Sequence, residues 1–293
     1  MSTEPVAPTQ SKRSKVTVRT LQQRKQAGRP ITMITVYDYS SAAIVEQSAV
    51  DAILVGDSLG MVVLGYASTL QVSMDEMLHH CKAVARGSRT PLLVGDLPFL
   101  SYQVTPEEAL RNAGRLLTEG HMEAVKLEGG QRVAATVTRL VEAGIPVIGH
   151  LGLTPQSVNL LGYRAQGRTA QAARRLLDDA RILQEGGCSA IVLEAIPARL
   201  ATHVTQTLTI PTIGIGAGNG CDGQVLVYHD LLGLFDRIPP RFVKRYATLN
   251  GEIRAAIDRY VQEVQARAFP TEEHTYSMDD AEWDAFLSEL GEG

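Results

Sequence analysis

Polar residues at the ends of short apolar runs are where this chain could do chemistry. Gly56-Asp57-Ser58 follows Ala52–Val55, and Gly95-Asp96-Leu97-Pro98 follows Leu92–Val94. Lys126 and Glu128 flank Leu127, Gly149-His150-Leu151-Gly152 follows Val147–Ile148, and Glu194 closes Ala190–Leu193. Taken singly, each has an ordinary structural use. Aspartate at a strand end caps a helix or forms a turn. Lys126 and Glu128, two apart on a strand, face the same side and can pair. Taken together, Asp57, Asp96, Glu128 and Glu194 would share a small volume with only Lys126 and His150. Carboxylates so placed repel one another and are costly to bury unpaired. A divalent cation relieves that repulsion, and an all-oxygen ligand set without cysteine suits Mg²⁺. The competing reading is a structural salt-bridge cluster. Mg²⁺ held by one or two carboxylates keeps positions open for a small oxygen-rich substrate. Lys126 could then serve a substrate carboxylate or a developing enolate oxygen. A carboxylate less tied to the metal could remove a proton next to a carbonyl. The pattern therefore points to metal-assisted enolate chemistry on a 2-oxo acid, and it leaves the electrophile open.

Such a site needs strands that end together. Eight apolar runs recur, at Ile31–Val36, Ala52–Val55, Leu92–Val94, Ala124–Leu127, Val147–Ile148, Ala190–Leu193, Thr212–Ile215 and Val225–Val227. Most are continuous, as parallel strands covered on both faces are. Between them the spacing predicts helices over Ser40–Gln47, Met74–Arg86, Pro106–Thr118, Gln131–Ala143 and Ala170–Gln184. Thr105-Pro106-Glu107-Glu108 is a strong helix start: a cap, a proline in the first turn, then acids at the positive dipole end. Eight alternations in about 200 residues predict an α/β fold, a closed (β/α)₈ barrel. In that architecture functional residues gather at the C-terminal ends of the strands. An open doubly wound sheet would usually show GxGxxG after its first strand, where this chain has Tyr37-Asp38-Tyr39-Ser40.

The composition bounds the rest. The chain has 293 residues with 28 basic and 32 acidic side chains, a formal charge of -4 that gives no reason to expect nucleic acid or an anionic membrane as partner. Hydrophobic residues are 44% and charged residues 20%, as in ordinary globular proteins and unlike disordered or fibrous ones. No run of 18 apolar residues exists to span a membrane, and the N-terminus lacks the apolar stretch of a signal peptide. The three cysteines, Cys81, Cys188 and Cys221, are odd in number and widely spaced. They suit a reducing, cytoplasmic compartment rather than a disulfide or zinc framework. Residues 1–15 read as a flexible polar tail and residues 16–276 as one barrel domain, with an extra helix over Glu252–Ala266. Residues 277–293 read as an acidic extension carrying Trp283, Phe286, Leu287 and Leu290 at helical spacing.

The same segments resemble the ketopantoate hydroxymethyltransferase family. The resemblance rests on Thr35-Val36-Tyr37-Asp38-Tyr39-Ser40, Val55-Gly56-Asp57-Ser58-Leu59-Gly60-Met61, Gly95-Asp96-Leu97-Pro98-Phe99 and Val125-Lys126-Leu127-Glu128-Gly129-Gly130. It continues through Gly149–Asn159, Gln166-Gly167-Arg168, Ile213–Gly218 and Asp222-Gly223-Gln224, in order over about Val16–Tyr276. The resemblance implies a (β/α)₈ TIM barrel of the phosphoenolpyruvate mutase/isocitrate lyase type. It implies transfer of a one-carbon unit from 5,10-methylenetetrahydrofolate to 3-methyl-2-oxobutanoate, giving 2-dehydropantoate for pantothenate synthesis. By position, Asp57 and Asp96 correspond to direct Mg²⁺ ligands and Glu128 to a ligand acting partly through water. Ser58, Lys126 and His150 correspond to contacts of the 2-oxo acid, which shares the metal with Asp57 and Asp96, and Glu194 to the base that takes the C3 proton. The resemblance further implies a homodecamer. Leu151–Arg168 has the length and glycine content of a cover over the pocket. Leu161-Gly162-Tyr163 has one glycine where the family commonly has two, and Gln71 stands where proline is usual.

Two other functions stay open on the sequence. One is a Mg²⁺-dependent lyase or mutase of the related barrel group, acting without folate and generally with a cysteine-bearing loop. The other is a phosphate-binding barrel using backbone N–H groups of the glycine run Gly214–Gly218.

Overall fold

Aliphatic stretches of four to six residues, each ended by glycine or a polar residue, form eight strands. They are β1 Ile31–Thr35, β2 Ala52–Val55, β3 Leu92–Asp96, β4 Ala124–Glu128, β5 Val147–Gly152, β6 Ala190–Glu194, β7 Thr212–Ile215 and β8 Gly223–Leu226. The computed structural model describes residues 13–235 and 240–291. Every neighbouring pair is parallel, and β8 returns to β1, so the sheet is a closed barrel in sequence order. Closure leaves no strand edge exposed.

The helices are α1 Val18–Gln26, α2 Tyr39–Glu46, α3 Leu59–Val62, α4 Met74–Gly87, α5 Pro106–Thr118 and α6 Ala134–Glu142. They continue as α7 Val158–Leu161, α8 Ala170–Glu185, α9 Ala198–Thr207, α10 Tyr228–Leu232, α11 Leu249–Gln265 and α12 Asp280–Leu290. The Thr105 hydroxyl accepts from the Glu108 amide at 3.1 Å and Pro106 opens α5, as the sequence predicts. Ser73 and Glu76 form a capping box at the start of α4. The seventh connection, residues 216–222, carries no helix, so β7 and β8 are joined by a short tight crossing.

Alternation along the strands divides the buried side chains into two cores. Ile53, Val55, Val125, Leu127, Val147, Leu151, Ile191 and Leu193 face outward against the helices. Met33, Leu54, Leu92, Val94, Ala124, Ile148, Ala190, Val192, Ile213 and Val225 fill the barrel, together with Val16 and Leu21 at its N-terminal end. Thus α1, which the sequence reading left out, belongs to the barrel's floor. Its Arg24 reaches Asp51 at 2.6 Å and its Lys25 reaches Asp222 at 2.8 Å. Those two aspartates also accept the amides of Thr32 and Thr212, so each ties the foot of a strand to α1.

Two boundaries differ from the sequence reading. Residues 1–12 of the expected flexible tail lie outside the described residues. Arg13 and Lys15 are fastened: Arg13 donates to the Ser48 and Val50 carbonyls, and Lys15 to the Pro91 carbonyl at 2.7 Å. The chain also divides into two compact units, one ending at Tyr246 and one beginning at Ala247. The helix read as the end of the barrel domain therefore groups with the C-terminal segment. None of its residues is buried.

Candidate active site

Period-two alternation fixes which polar residues look inward. Ala124, Leu92 and Val94, Ile148, and Ala190 and Val192 line the barrel interior. Two residues further along the same strands come Lys126, Asp96, His150 and Glu194, with Glu128 two beyond Lys126. They therefore form the top of the interior, at the C-terminal end. The register places Asp96 beside Lys126, Glu128 beside His150 and Gly152 beside Glu194. A cavity of about 730 Å³ opens there, and its lining includes Asp57, Ser58, Asp96, Lys126, Glu128, His150 and Glu194. All seven site residues expected from the sequence come together.

Their contacts are specific. Lys126 Nζ lies 2.9 Å from Asp96 Oδ1. The other Asp96 oxygen accepts the Asp57 backbone N–H at 3.0 Å, which locks the turn after β2 onto the end of β3. His150 Nε2 is 3.1 Å from Glu194 Oε2, and its Nδ1 is 3.4 Å from both Glu128 Oε1 and Lys126 Nζ. The Ser58 hydroxyl pairs with the buried Tyr37 hydroxyl at 2.8 Å. Tyr163 and Arg164, from the segment after β5, reach the cavity rim as the cover reading expects.

The electrostatics follow from burial and from the surplus of acids. Burial, reinforced by Asp96 and Glu128, pushes Asp57 well above the ordinary carboxylate range. Asp96 is likewise raised by burial, with Lys126 pulling it partly back. Burial acts to lower Lys126, and the surrounding carboxylates more than reverse it, so its pKa is raised. For His150, burial and Lys126 act downward, but the adjacent Glu128 and Glu194 carboxylates lift it to about 9. Around Lys126 and His150 the site thus gathers four carboxylates, Asp57, Asp96, Glu128 and Glu194, an excess of acid that a divalent cation would relieve.

The donor set fits such an ion. Among the described residues no three acidic, histidine or cysteine side chains form a ready-made cage. Mg²⁺ does not need one, since it commonly takes one or two carboxylates and fills its octahedron with water and substrate. Asp96 Oδ1 is buried, with the Lys126 ammonium at 2.9 Å as its neighbour. Such a buried oxygen with spare lone pairs suits a cation.

Sequence reasoning missed Gln156, Tyr102 and Tyr37 as parts of the site. Gln156 Nε2 donates to Asp57 Oδ2 at 2.8 Å, and its backbone N–H donates to Glu128 Oε2 at 3.0 Å. Tyr102 donates to Gln156 Oε1 at 2.7 Å. The available signal was the polar Gln156 directly after a proline at the end of β5, inside a stretch expected to line the pocket.

The glycine run after β7 is a packing device. Gly216 and Gly218 have φ of 62° and 79°. A Cβ on them would come within 2.7 Å of Phe242 and 2.5 Å of Ala198, respectively. Neither glycine lines the cavity. The three cysteines are also absent from its lining.

Solved structures of similar shape place the fold. They include a phosphonopyruvate hydrolase (TM-score 0.60, 10% identity, 94% of this chain and 95% of that one). Another is a 2,3-dimethylmalate lyase, a PEP mutase/isocitrate lyase superfamily member (TM-score 0.57, 16% identity, 89% of each chain). At such low identity the likeness concerns architecture alone, and it defines the class: a closed parallel barrel of the PEP mutase/isocitrate lyase type. Within that class the chain belongs to the ketopantoate hydroxymethyltransferase family, whose model matches residues 15–272. It is 57% identical over 265 residues to the 3-methyl-2-oxobutanoate hydroxymethyltransferase of Carboxydothermus hydrogenoformans, covering 90% of this chain and 96% of that protein. The protein of the same name from Moorella thermoacetica is 57% identical over 267 residues, covering 91% of this chain and 99% of that one.

Proposed function

We propose that the protein transfers the one-carbon unit of 5,10-methylenetetrahydrofolate to C3 of 3-methyl-2-oxobutanoate, giving 2-dehydropantoate for pantothenate synthesis. The observation that carries this reading is a single cavity lined both by Glu194, at the end of β6, and by Asp57, Asp96 and Lys126, from β2 to β4. A proton acceptor thus shares one pocket with a charge trap, the arrangement needed to form an enolate from a 2-oxo acid.

Asp57 and Asp96 would hold the cation, with Glu128 alongside. A divalent cation bound there supplies Lewis acidity to the keto and carboxylate oxygens of the substrate. The chain's own groups do the rest. Lys126, kept protonated by its carboxylate neighbours, places a fixed ammonium beside the oxygen that gains charge. Ser58, oriented by Tyr37, offers a hydroxyl to the substrate carboxylate. Glu194 takes the C3 proton. His150, with Nε2 3.1 Å from Glu194 Oε2, lies beside that carboxylate. The C3 carbanion equivalent then attacks the methylene carbon of the folate as one of that carbon's two C–N bonds breaks, and a water molecule displaces the second nitrogen, supplying the product's hydroxyl and releasing tetrahydrofolate. Tyr163 and Arg164 line the cavity from the segment after β5.

The related lyase or mutase reading calls for a cysteine at the cavity, where this chain has none. We also propose a cytoplasmic homodecamer. The free thiols accord with a reducing compartment. An exposed apolar stripe on α11, Ile253, Ile257, Tyr260, Val261 and Val264, accords with burial in an assembly. The direct test is product formation: purified protein with both substrates and Mg²⁺ yields 2-dehydropantoate, and chelation of the metal stops it. Turnover unchanged by chelation would refute the metal's role.

A further inference from the structure

Gln156 is 5% exposed and follows β5 in a single tight turn, Pro155–Ser157. Every hydrogen-bonding face of its amide is used. Nε2 donates to Asp57 Oδ2 at 2.8 Å and to the Leu97 carbonyl at 3.0 Å. Oε1 accepts from the Tyr102 hydroxyl at 2.7 Å and from Gln103 Nε2 at 3.2 Å. This orientation is not interchangeable with its flip, which would aim the amide oxygen at a carboxylate and a carbonyl, both acceptors. The Tyr102 hydroxyl accepts the Glu128 backbone N–H at 3.1 Å and has two acceptors for its one proton, Gln156 Oε1 at 2.7 Å and the Glu128 carbonyl at 3.2 Å, of which Gln156 is the nearer. The backbone N–H of Gln156 donates to Glu128 Oε2 at 3.0 Å. One buried residue thus joins the loops after β2, β3, β4 and β5.

We infer that Gln156 is a positioning residue for the cation-binding carboxylates: its amide fixes Asp57, and its backbone fixes Glu128, in the arrangement that receives the metal. The choice of residue type follows from charge. Asp57 needs a donor to hold one oxygen still, and a lysine or arginine would supply it. A cationic donor would also offset the acidic excess that attracts the ion. A neutral amide orients the carboxylate without competing for that charge. Among the described residues the Gln156 amide makes the only side-chain hydrogen bond to Asp57, at Oδ2, and Oδ1 is left for the ion. Partners of this kind commonly matter 10–100-fold to metal affinity.

The inference rests on the metal reading above, and Mg²⁺ alone is the probe that separates the two. Gln156→Met keeps the length and apolar volume and removes both donors and the acceptor. Tyr102→Phe keeps Gln156 and frees its amide to rotate. Isothermal titration of Mg²⁺ into each purified protein, with thermal unfolding of the metal-free forms as a check of folding, reads the effect. We expect Gln156→Met to weaken Mg²⁺ binding by about tenfold or more, and Tyr102→Phe by several-fold. Folded Gln156→Met that binds Mg²⁺ as tightly as the parent overturns the inference. If Gln156→Met does not fold, unchanged affinity in Tyr102→Phe overturns it. A parent protein that binds no Mg²⁺ would instead remove the metal reading, and this inference with it.

Discussion

Gly152 shows how tightly single residues are specified around the base. It ends β5 with φ of 99°, and a Cβ there would come within 2.1 Å of the Glu194 carbonyl oxygen. Backbone cannot yield cheaply to such a contact, so any side chain must displace the strand that carries the base. Gly152→Ala should therefore cut turnover by about tenfold or more, the scale on which misplacing a catalytic group acts, while circular dichroism still reports a folded barrel. Activity close to the parent would mean that Glu194 tolerates movement. The seven site residues were legible in the sequence because strand alternation gives their direction and the apolar runs give their height. Gln156 was not, because its partner Asp57 lies 99 residues away and a polar residue after a proline does not say what it binds. Tyr37, whose hydroxyl meets Ser58 across 21 residues, was hidden for the same reason.

At the scale of elements, the strands emerge from the sequence within two residues, since continuous aliphatic runs have few alternatives at that length, except that β5 runs four residues past the expected Ile148, to Gly152. The misses have physical causes. α1 buries only Leu21 and is otherwise polar, so no apolar stripe announces it. The crossing from β7 to β8 holds glycines where a helix is expected, and their packing needs became visible only with Phe242 and Ala198 in place. Glu46, at the end of α2, is a second kind of unannounced tie. It accepts the Ser88 hydroxyl at 2.7 Å, the Arg89 amide at 2.9 Å and the Thr90 amide at 3.0 Å, so it binds α2 to the loop before β3. Burial acts to raise its pKa, but those donors, the Thr90 hydroxyl foremost, bring it down to about 2. A depressed acid stabilises the fold above its unfolded pKa and loses that contribution as pH falls through the folded value. The stability advantage of the parent over Glu46→Gln should thus be full above about pH 4.5 and lost as pH falls toward about 2. We expect about 1 kcal/mol at neutral pH, low for bonds to a charged group because the side chain is partly solvated. Urea unfolding at a series of pH values measures it, and a pH-independent difference would contradict the assignment.

Closure of the barrel is the property of the whole molecule that makes a site possible. Asp57, Asp96, Glu128, His150 and Glu194 come from the ends of five successive strands and meet only because β8 pairs with β1. The alternation of strand and helix signals made the barrel legible, whereas the division at Tyr246 and Ala247 was not. A helix that buries nothing within the chain looks the same in sequence as one that packs on its own domain. If the exposed stripe of α11 is buried between subunits, sedimentation equilibrium should return about ten times the 31.7 kDa chain mass. Replacing Ile257 and Val261 by aspartate should lower that mass, and an unchanged monomer in both proteins would remove the proposal.

The central claim is that Glu194 removes the C3 proton of a 2-oxo acid held against the acidic wall. The direct measurement is proton exchange at C3 of 3-methyl-2-oxobutanoate in D₂O, followed by NMR without folate. The account predicts Mg²⁺-dependent exchange by the parent and a rate lower by about 10²–10⁴ in Glu194→Gln, the usual contribution of a general base. Exchange by Glu194→Gln at the parental rate would contradict it.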